Sequence, residues 1–265
     1  MTCLTTIDLQ RKKDLGERIA ATTAYDALFA KLLDDQVDLI LVGDSLGMVV
    51  QGKENTLDVA MEEMVYHTKC VHRVLKRAHL VSDMPFLSYQ ISEERAIENA
   101  GRLLKAGAQS VKLEGGEEIA SLVKKLVCYG IPVMAHIGMT PQSLHRWGGY
   151  RVQGKDQGRR DQLLRDAKIL EENGAYAVVL ESIPQDLSQE ISQNLKIPTI
   201  GIGAGPFCNG QILVIYDLLG MDSDFNPKFL RKYANLSKTI REALSTYVKE
   251  VREGNFPSDK ESYHS

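Results

Sequence analysis

The sequence predicts an α/β protein folded as a single (β/α)₈ barrel, and three observations carry that reading. The chain has 265 residues, close to the roughly 250 usual for this fold. Eight short apolar runs recur along it, and none alternates with polar residues as a half-exposed strand would. Between them lie amphipathic stretches of helical period. An open, doubly wound sheet is the alternative that the pattern by itself leaves standing.

The runs are Ile19–Ala24, Leu39–Val42, Leu80–Val81, Ser110–Leu113, Ile131–Ala135, Ala177–Leu180, Ile197–Ile202 and Ile212–Ile215. Tyr25–Asp35 reads as the first helix between them, with Leu28, Phe29, Leu32 and Leu33 as its apolar residues and Asp26 as its cap. Val59–Lys76 follows, with Met61, Met64, Val65 and Val71 near helical spacing. Ser92–Ala106 and Gln162–Asn173 end in similar stops, Ala106-Gly107 and Asn173-Gly174, each feeding directly into a strand. Gly138–Arg160 shows several glycines and no periodicity, and is expected to be a functional loop that closes over the site. The domain therefore spans residues 1–265, with an extension from about 222 to 265. Within it Phe229–Val251 reads as helix and Pro257–Ser265 as a loose polar tail.

Composition narrows the function classes. A net charge of -3 gives no basic patch for nucleic acid or a membrane surface. Met1–Lys13 lacks the apolar core of a signal peptide, and no uncharged apolar run reaches the length of a membrane span. The four cysteines, Cys3, Cys70, Cys128 and Cys208, form no CxxC pair or zinc-ligand spacing and read as reduced thiols. A soluble, cytoplasmic protein is expected.

Active sites of such barrels lie at the C-terminal ends of the strands. Five successive runs end in an ionisable residue: Asp44 after the second, Asp83 after the third, Glu114 after the fourth, His136 after the fifth and Glu181 after the sixth. One Asp at a strand end is ordinarily a turn former or helix cap. Four carboxylates at one mouth repel one another and raise each other's pKa values unless cations compensate. Lys112 and a metal ion are the available cations. In the fourth run Lys112 and Glu114 share one face, with Val111 and Leu113 on the other, and either face can point inward. The oxygen-only set Asp44, Asp83 and Glu114 suits a hard cation such as Mg²⁺ rather than zinc. The other histidines, His67, His72, His79, His145 and His264, read as surface residues. The glycines of Gly201-Ile202-Gly203-Ala204-Gly205 serve either an anion nest or clearance for a ligand, and as a dinucleotide fingerprint they are poor.

Eight blocks resemble the ketopantoate hydroxymethyltransferase family: TTAYD at 22–26, LVGDSLGMVVQG at 41–52, SDMPF at 82–86, VKLEGG at 111–116, IPVMAHIGMTPQS at 131–143, GGYRVQG at 148–154, VLESIP at 179–184 and GIGAGPFCNGQILV at 201–214. The resemblance implies a barrel of the phosphoenolpyruvate/pyruvate type assembled as a homodecamer. It implies hydroxymethyl transfer from 5,10-methylenetetrahydrofolate to 3-methyl-2-oxobutanoate, through a Mg²⁺-stabilised enolate, for pantothenate and coenzyme A synthesis. It implies Asp44 and Asp83 as magnesium ligands, with Glu114 a third, through water or directly. It also implies Asp44, Ser45, Asp83, Lys112 and His136 as substrate contacts and Glu181 as the general base. The competing enzyme is an isocitrate-lyase-like or phosphonopyruvate-mutase-like relative, which would place a reactive cysteine in the long loop; here that loop has none. A ligand-sensing barrel without catalysis is the competing class, and the intact ionic set speaks against it.

Overall fold

In the computed structural model, residues 3–264 are described; Met1, Thr2 and Ser265, the outer ends of the two terminal segments read above, lie outside the described residues. The eight strands are β1 (Ile19–Thr23), β2 (Leu39–Val42), β3 (His79–Asp83), β4 (Ser110–Glu114), β5 (Val133–Gly138), β6 (Ala177–Glu181), β7 (Thr199–Ile202) and β8 (Gly210–Leu213). They form a closed barrel in chain order, every pair parallel, with β8 returning to β1. Closure removes the open-sheet alternative and leaves no free edge. The helices are α1 (Thr6–Asp14), α2 (Ala27–Leu33), α3 (Leu46–Val49), α4 (Met61–His72), α5 (Glu93–Lys105), α6 (Ala120–Cys128), α7 (Leu144–Trp147), α8 (Gln157–Glu172), α9 (Gln185–Asn194), α10 (Ile215–Leu218) and α11 (Leu236–Glu253). Among the described residues no helix is long and apolar enough to cross a membrane. All four cysteines are free thiols.

The chain forms two compact units, residues 1–214 and 215–265. In the first, the barrel interior is filled by Ile19, Ala21, Leu39, Leu41, Val81, Met134, Ala177, Val179, Ile200 and Ile212. On strands carrying two of these residues they sit two apart, as the pleat requires. The same alternation sends His79 and Asp83 inward with Val81. Lys112 of β4 reaches Asp83, its register partner on β3, so the charged face of β4 is the inward one. Val111 and Leu113 are fully buried on the opposite face.

Three expectations change, and one helix goes unread. His79 is buried, not superficial, because β3 begins one residue earlier than its apolar run and so places the ring inside. Helix α1 is invisible to periodicity because Leu9 is its only buried residue; a capping box at Thr5 and Asp8 sets its start. Helix α8 starts five residues before its apolar pattern, capped by Asp156, because its first turn is polar. The stretch 138–160 is not all loop: it contains a 3₁₀ turn at Pro141–Ser143 and α7. The caps at Asp26 and Ser92 are as read. Leu28 and Leu32 of α2 are 78% and 70% exposed, so they are not core residues in this chain alone.

In the second unit, α11 starts at Leu236 with Asn235 as its cap. Ile240, Leu244, Tyr247, Val248 and Val251 form an apolar stripe along it, and all are exposed. Ser258 caps a single 3₁₀ turn at Asp259–Glu261 in the tail.

Candidate active site

The strand ends bring the expected residues together. At the end of β2 the chain turns through Gly43, where a Cβ would lie 2.7 Å from Ser45 Oγ and 3.4 Å from Asp83 Oδ2. A side chain here would displace the Ser45 hydroxyl from its place beside Tyr25. The Asp44 backbone N–H then donates to Asp83 Oδ2 at 3.0 Å. Ser45 Oγ lies 2.8 Å from Tyr25 OH. On β4, Lys112 Nζ lies 2.8 Å from Asp83 Oδ1 and 3.8 Å from Glu114 Oε1. His136 is the register partner of Glu114. Its Nδ1 lies 3.5 Å from Glu114 Oε1, and its Nε2 lies 3.2 Å from Glu181 Oε2. The six ionisable groups thus run as a chain around the mouth from Asp44 to Glu181, alternating in charge from Asp83 onward but opening on two adjacent carboxylates, Asp44 and Asp83. Asp44, Asp83, Lys112, Glu114 and His136 are buried. The Glu181 side chain retains 18% exposure and is the group open to an incoming molecule. Ser182, next to it, holds φ of 48°, a conformation that a non-glycine residue adopts only under constraint. Gly138, beside Glu181 in register, has no room for a Cβ, which would meet the Glu181 carbonyl oxygen at 2.3 Å.

Burial, reinforced by Asp83 and Glu114, raises the Asp44 carboxyl well above the usual range. Burial also raises Asp83, outweighing the Lys112 ammonium. At Glu114 burial is overcome by His136, Lys112 and the Gln142 amide, and its pKa falls. Burial and Lys112 both oppose a charge on His136, yet Glu114 and Glu181 prevail and lift it to about 9. Lys112 approaches His136 Nδ1 to 3.3 Å, a like-charge contact held by the carboxylates around it. Four carboxylates therefore face two cationic side chains, and the imbalance falls on Asp44 and Asp83. Asp83 Oδ1, Glu114 Oε1 and His136 Nε2 are buried without a hydrogen bond of normal geometry, despite lying within ion-pair distance of their neighbours. Buried polar atoms left this way call for a further partner.

A hard divalent cation fits that description. The oxygens of Asp44 and Asp83 have the chemistry it takes, and magnesium commonly uses one or two carboxylates with water and substrate oxygens completing its shell. Glu114 is occupied by Lys112, His136 and the Gln142 N–H at 2.9 Å. Among the described residues no group of three or more His, Cys, Asp and Glu side chains is arranged to hold a metal ion.

Two residues without a role in the sequence reading support the set. Gln142 Nε2 donates to Asp44 Oδ2 and to the Met84 carbonyl, both at 2.9 Å, while its Oε1 accepts from Tyr89 OH at 2.9 Å. Tyr89 OH in turn accepts from the Glu114 N–H at 3.2 Å. Gln142 lies within the block IPVMAHIGMTPQS, so the motif pointed to it, but no spacing rule shows that a loop amide reaches back across the mouth.

The family model of ketopantoate hydroxymethyltransferase matches residues 3–259. A 3-methyl-2-oxobutanoate hydroxymethyltransferase from Thermotoga neapolitana is 55% identical over 255 residues, covering 96% of this chain and 94% of that one. One from Thermoanaerobacter sp. (strain X514) is 52% identical over 262 residues, covering 98% and 96%. Among solved structures, a phosphonopyruvate hydrolase complexed with oxalate and Mg²⁺ superposes with a TM-score of 0.62 at 15% identity, covering 97% of this chain and 93% of the other. A 2,3-dimethylmalate lyase of the PEP mutase/isocitrate lyase superfamily gives 0.62 at 16%, covering 98% and 92%. At such identities these two structures establish the barrel type alone, whereas the full-length identities above decide between the competing enzymes. The chain belongs to the ketopantoate hydroxymethyltransferase family.

Proposed function

We propose that the barrel mouth transfers a one-carbon unit from 5,10-methylenetetrahydrofolate to 3-methyl-2-oxobutanoate, giving ketopantoate for pantothenate synthesis in the cytoplasm. The observation that carries this reading is the excess of buried carboxylate at Asp44 and Asp83 beside the more open Glu181. Asp44 and Asp83 would hold Mg²⁺, with Glu114 reaching it through water. A phosphonopyruvate hydrolase on the same type of barrel is solved with oxalate and Mg²⁺ bound, which supports the choice of magnesium as the cation. Bound there, magnesium supplies Lewis-acid stabilisation of charge developing on the substrate's keto oxygen, worth several kcal/mol. Ser45, Lys112 and His136 line the space for the 2-oxo acid, together with Asp44 and Asp83. Lys112 and His136 offset its negative charge. Glu181 takes the C3 proton, leaving an enolate whose carbon attacks the donor's methylene carbon; the remaining carbon–nitrogen bond then breaks, tetrahydrofolate leaves, and one water supplies the hydroxyl oxygen of the product. His136 orients Glu181 through the contact at 3.2 Å. The loop after β5 covers the mouth and limits bulk water to what the transfer consumes.

The test separates proton removal from carbon–carbon bond formation. Enzyme, Mg²⁺ and 3-methyl-2-oxobutanoate in deuterated water are expected to exchange the C3 hydrogen without folate. Glu181→Gln keeps the shape and removes the base, so exchange should fall roughly 10²–10⁴-fold while substrate affinity changes little. Exchange unaffected by the substitution would move the base elsewhere.

The exposed stripe on α11 and the exposed Leu28 and Leu32 of α2 support self-assembly, with a homodecamer expected. Light scattering at micromolar concentration checks this, and a monomer would reject it.

A further inference from the structure

Beside the mouth lies a second cleft of about 260 Å³, formed where the loops after β4 and β5 meet α7 and α8. Its floor includes Gly115, which follows Glu114, and Gly138, two residues after His136. Two chain steps span at most about 7 Å, so the cleft opens next to the catalytic set. Its wall carries two guanidiniums. The Arg146 and Arg159 Cζ atoms lie 4.8 Å and 4.7 Å from the centroid of the Trp147 ring. The ring is fixed in turn, because Trp147 Nε1 donates to Thr140 Oγ1 at 3.0 Å.

Neither guanidinium lies within ion-pair distance of a carboxylate among the described residues, although Glu118 and Asp166 line the same cleft and attract Arg159 from further off. Asp166 Oδ1 is held by the Glu117 N–H at 3.0 Å and by Gln162 Nε2 at 2.8 Å rather than by either guanidinium. Arg159 Nε is buried with no hydrogen bond. Two arginines packed against one aromatic ring at the wall of a cleft, one with a buried and unspent Nε–H, offer a receptor for a carboxylate, because a guanidinium donates in a fork that matches it. The volume bears on what enters. Sites for whole drug-sized ligands run about 300–1,000 Å³, so this cleft takes one end of a larger molecule.

We propose that the cleft bounded by Arg146, Trp147 and Arg159 holds the carboxylate-bearing glutamate end of the one-carbon donor while its reactive end sits at the mouth. The inference rests on the folate reading above. It assigns the loop between β5 and α8 a binding role beyond closure, since α7 supplies Arg146 and Trp147.

The experiment compares 5,10-methylenetetrahydrofolate with the corresponding tetrahydropteroate, which lacks the glutamate. A charge-assisted hydrogen bond of this kind corresponds to about a 10- to 100-fold change in affinity. The protein should show a KM that much higher for the pteroate donor, with kcat nearly the same. Arg146→Gln/Arg159→Gln should raise KM for the folate donor by a similar factor while KM for the pteroate donor stays in place. Free glutarate should compete with the folate donor. Equal KM values for the two donors, or a variant that raises both equally, would overturn the proposal. Glutarate inhibition that the folate donor does not relieve would assign the cleft to a separate acidic effector instead. If neither donor gives product although C3 exchange proceeds, the folate reading itself fails and the proposal falls with it.

Discussion

The two ends of the barrel treat buried polar groups in opposite ways. At the N-terminal end, beneath the apolar interior, His79 Nδ1 donates to the Leu4 carbonyl at 2.9 Å and His79 Nε2 lies 2.9 Å from Ser110 Oγ. Ser110 Oγ lies 2.9 Å from Tyr176 OH, so hydroxyls and imidazole form one satisfied, neutral relay. The Tyr176 ring meets His79 edge-on at 5.8 Å. At the C-terminal end β3 and β4 again contribute, through Asp83, Lys112 and Glu114, with His136 from β5 beside them, and buried atoms lack normal hydrogen bonds. Most members of both networks are buried, His79 and Ser110 below and Asp83, Lys112, Glu114 and His136 above. The lower one is complete within the chain, while the upper one is charged and unbalanced. A buried network that is complete in itself stabilises the fold, and one left unbalanced marks where a ligand and a cation belong.

Substitutions at the two ends should therefore separate activity from stability. The largest effect is expected at the upper end. Asp44→Asn removes one proposed magnesium ligand and one repelling carboxylate together. Because the ion's stabilisation is worth several kcal/mol, kcat/KM should fall about 10³-fold or more, while the melting temperature stays level or rises. A variant that keeps full activity in limiting Mg²⁺ would remove Asp44 from the metal site.

The next effect is a pH dependence at the lower end. Burial holds His79 neutral and lowers its pKa from 6.5 to about 4. Below 6.5 the unfolded chain binds a proton that the folded chain refuses, so stability is fully present above pH 6.5 and declines as pH falls toward 4. The loss approaches roughly 3 kcal/mol. Denaturant titrations across that window should show the decline in the wild type and a flatter profile in His79→Gln, with C3 exchange at pH 7 intact. An unchanged slope would show that the relay is not the acid-sensitive element of the barrel base.

A smaller effect sharpens the comparison from above. Gln142 touches no proposed reacting atom but holds Asp44, the Met84 carbonyl and Tyr89. Supports of this kind are worth about 10–100-fold in metal affinity or activity. Gln142→Ala should weaken Mg²⁺ dependence by that factor, with a larger change in the metal requirement than in the melting temperature. Should excess Mg²⁺ fail to restore activity, Gln142 would have a role beyond orienting Asp44.

How much of this was legible before folding differs from residue to residue. The eight runs, the caps at Asp26 and Ser92, and the strand-end series Asp44, Asp83, Glu114, His136 and Glu181 could be read because each rests on neighbours in the chain. Strand length, cap chemistry and turn glycines are local properties, and the barrel rule assigns strand C-termini to one end. The motifs reached further and identified the family, since eight ordered blocks encode a whole site.

Tertiary structure alone decided the facing of Lys112 and Glu114. A two-residue period names two faces and does not say which is inside; the contact with Asp83 does. It alone revealed His79 as the foot of the barrel, because moving a strand boundary by one residue changes which side chains it carries inward. It alone joined Gln142 to Asp44, 98 positions away, and set Arg146 and Arg159 over one ring. Such pairings depend on how separate loops meet at the mouth, and no local pattern records a contact between residues that only folding brings together.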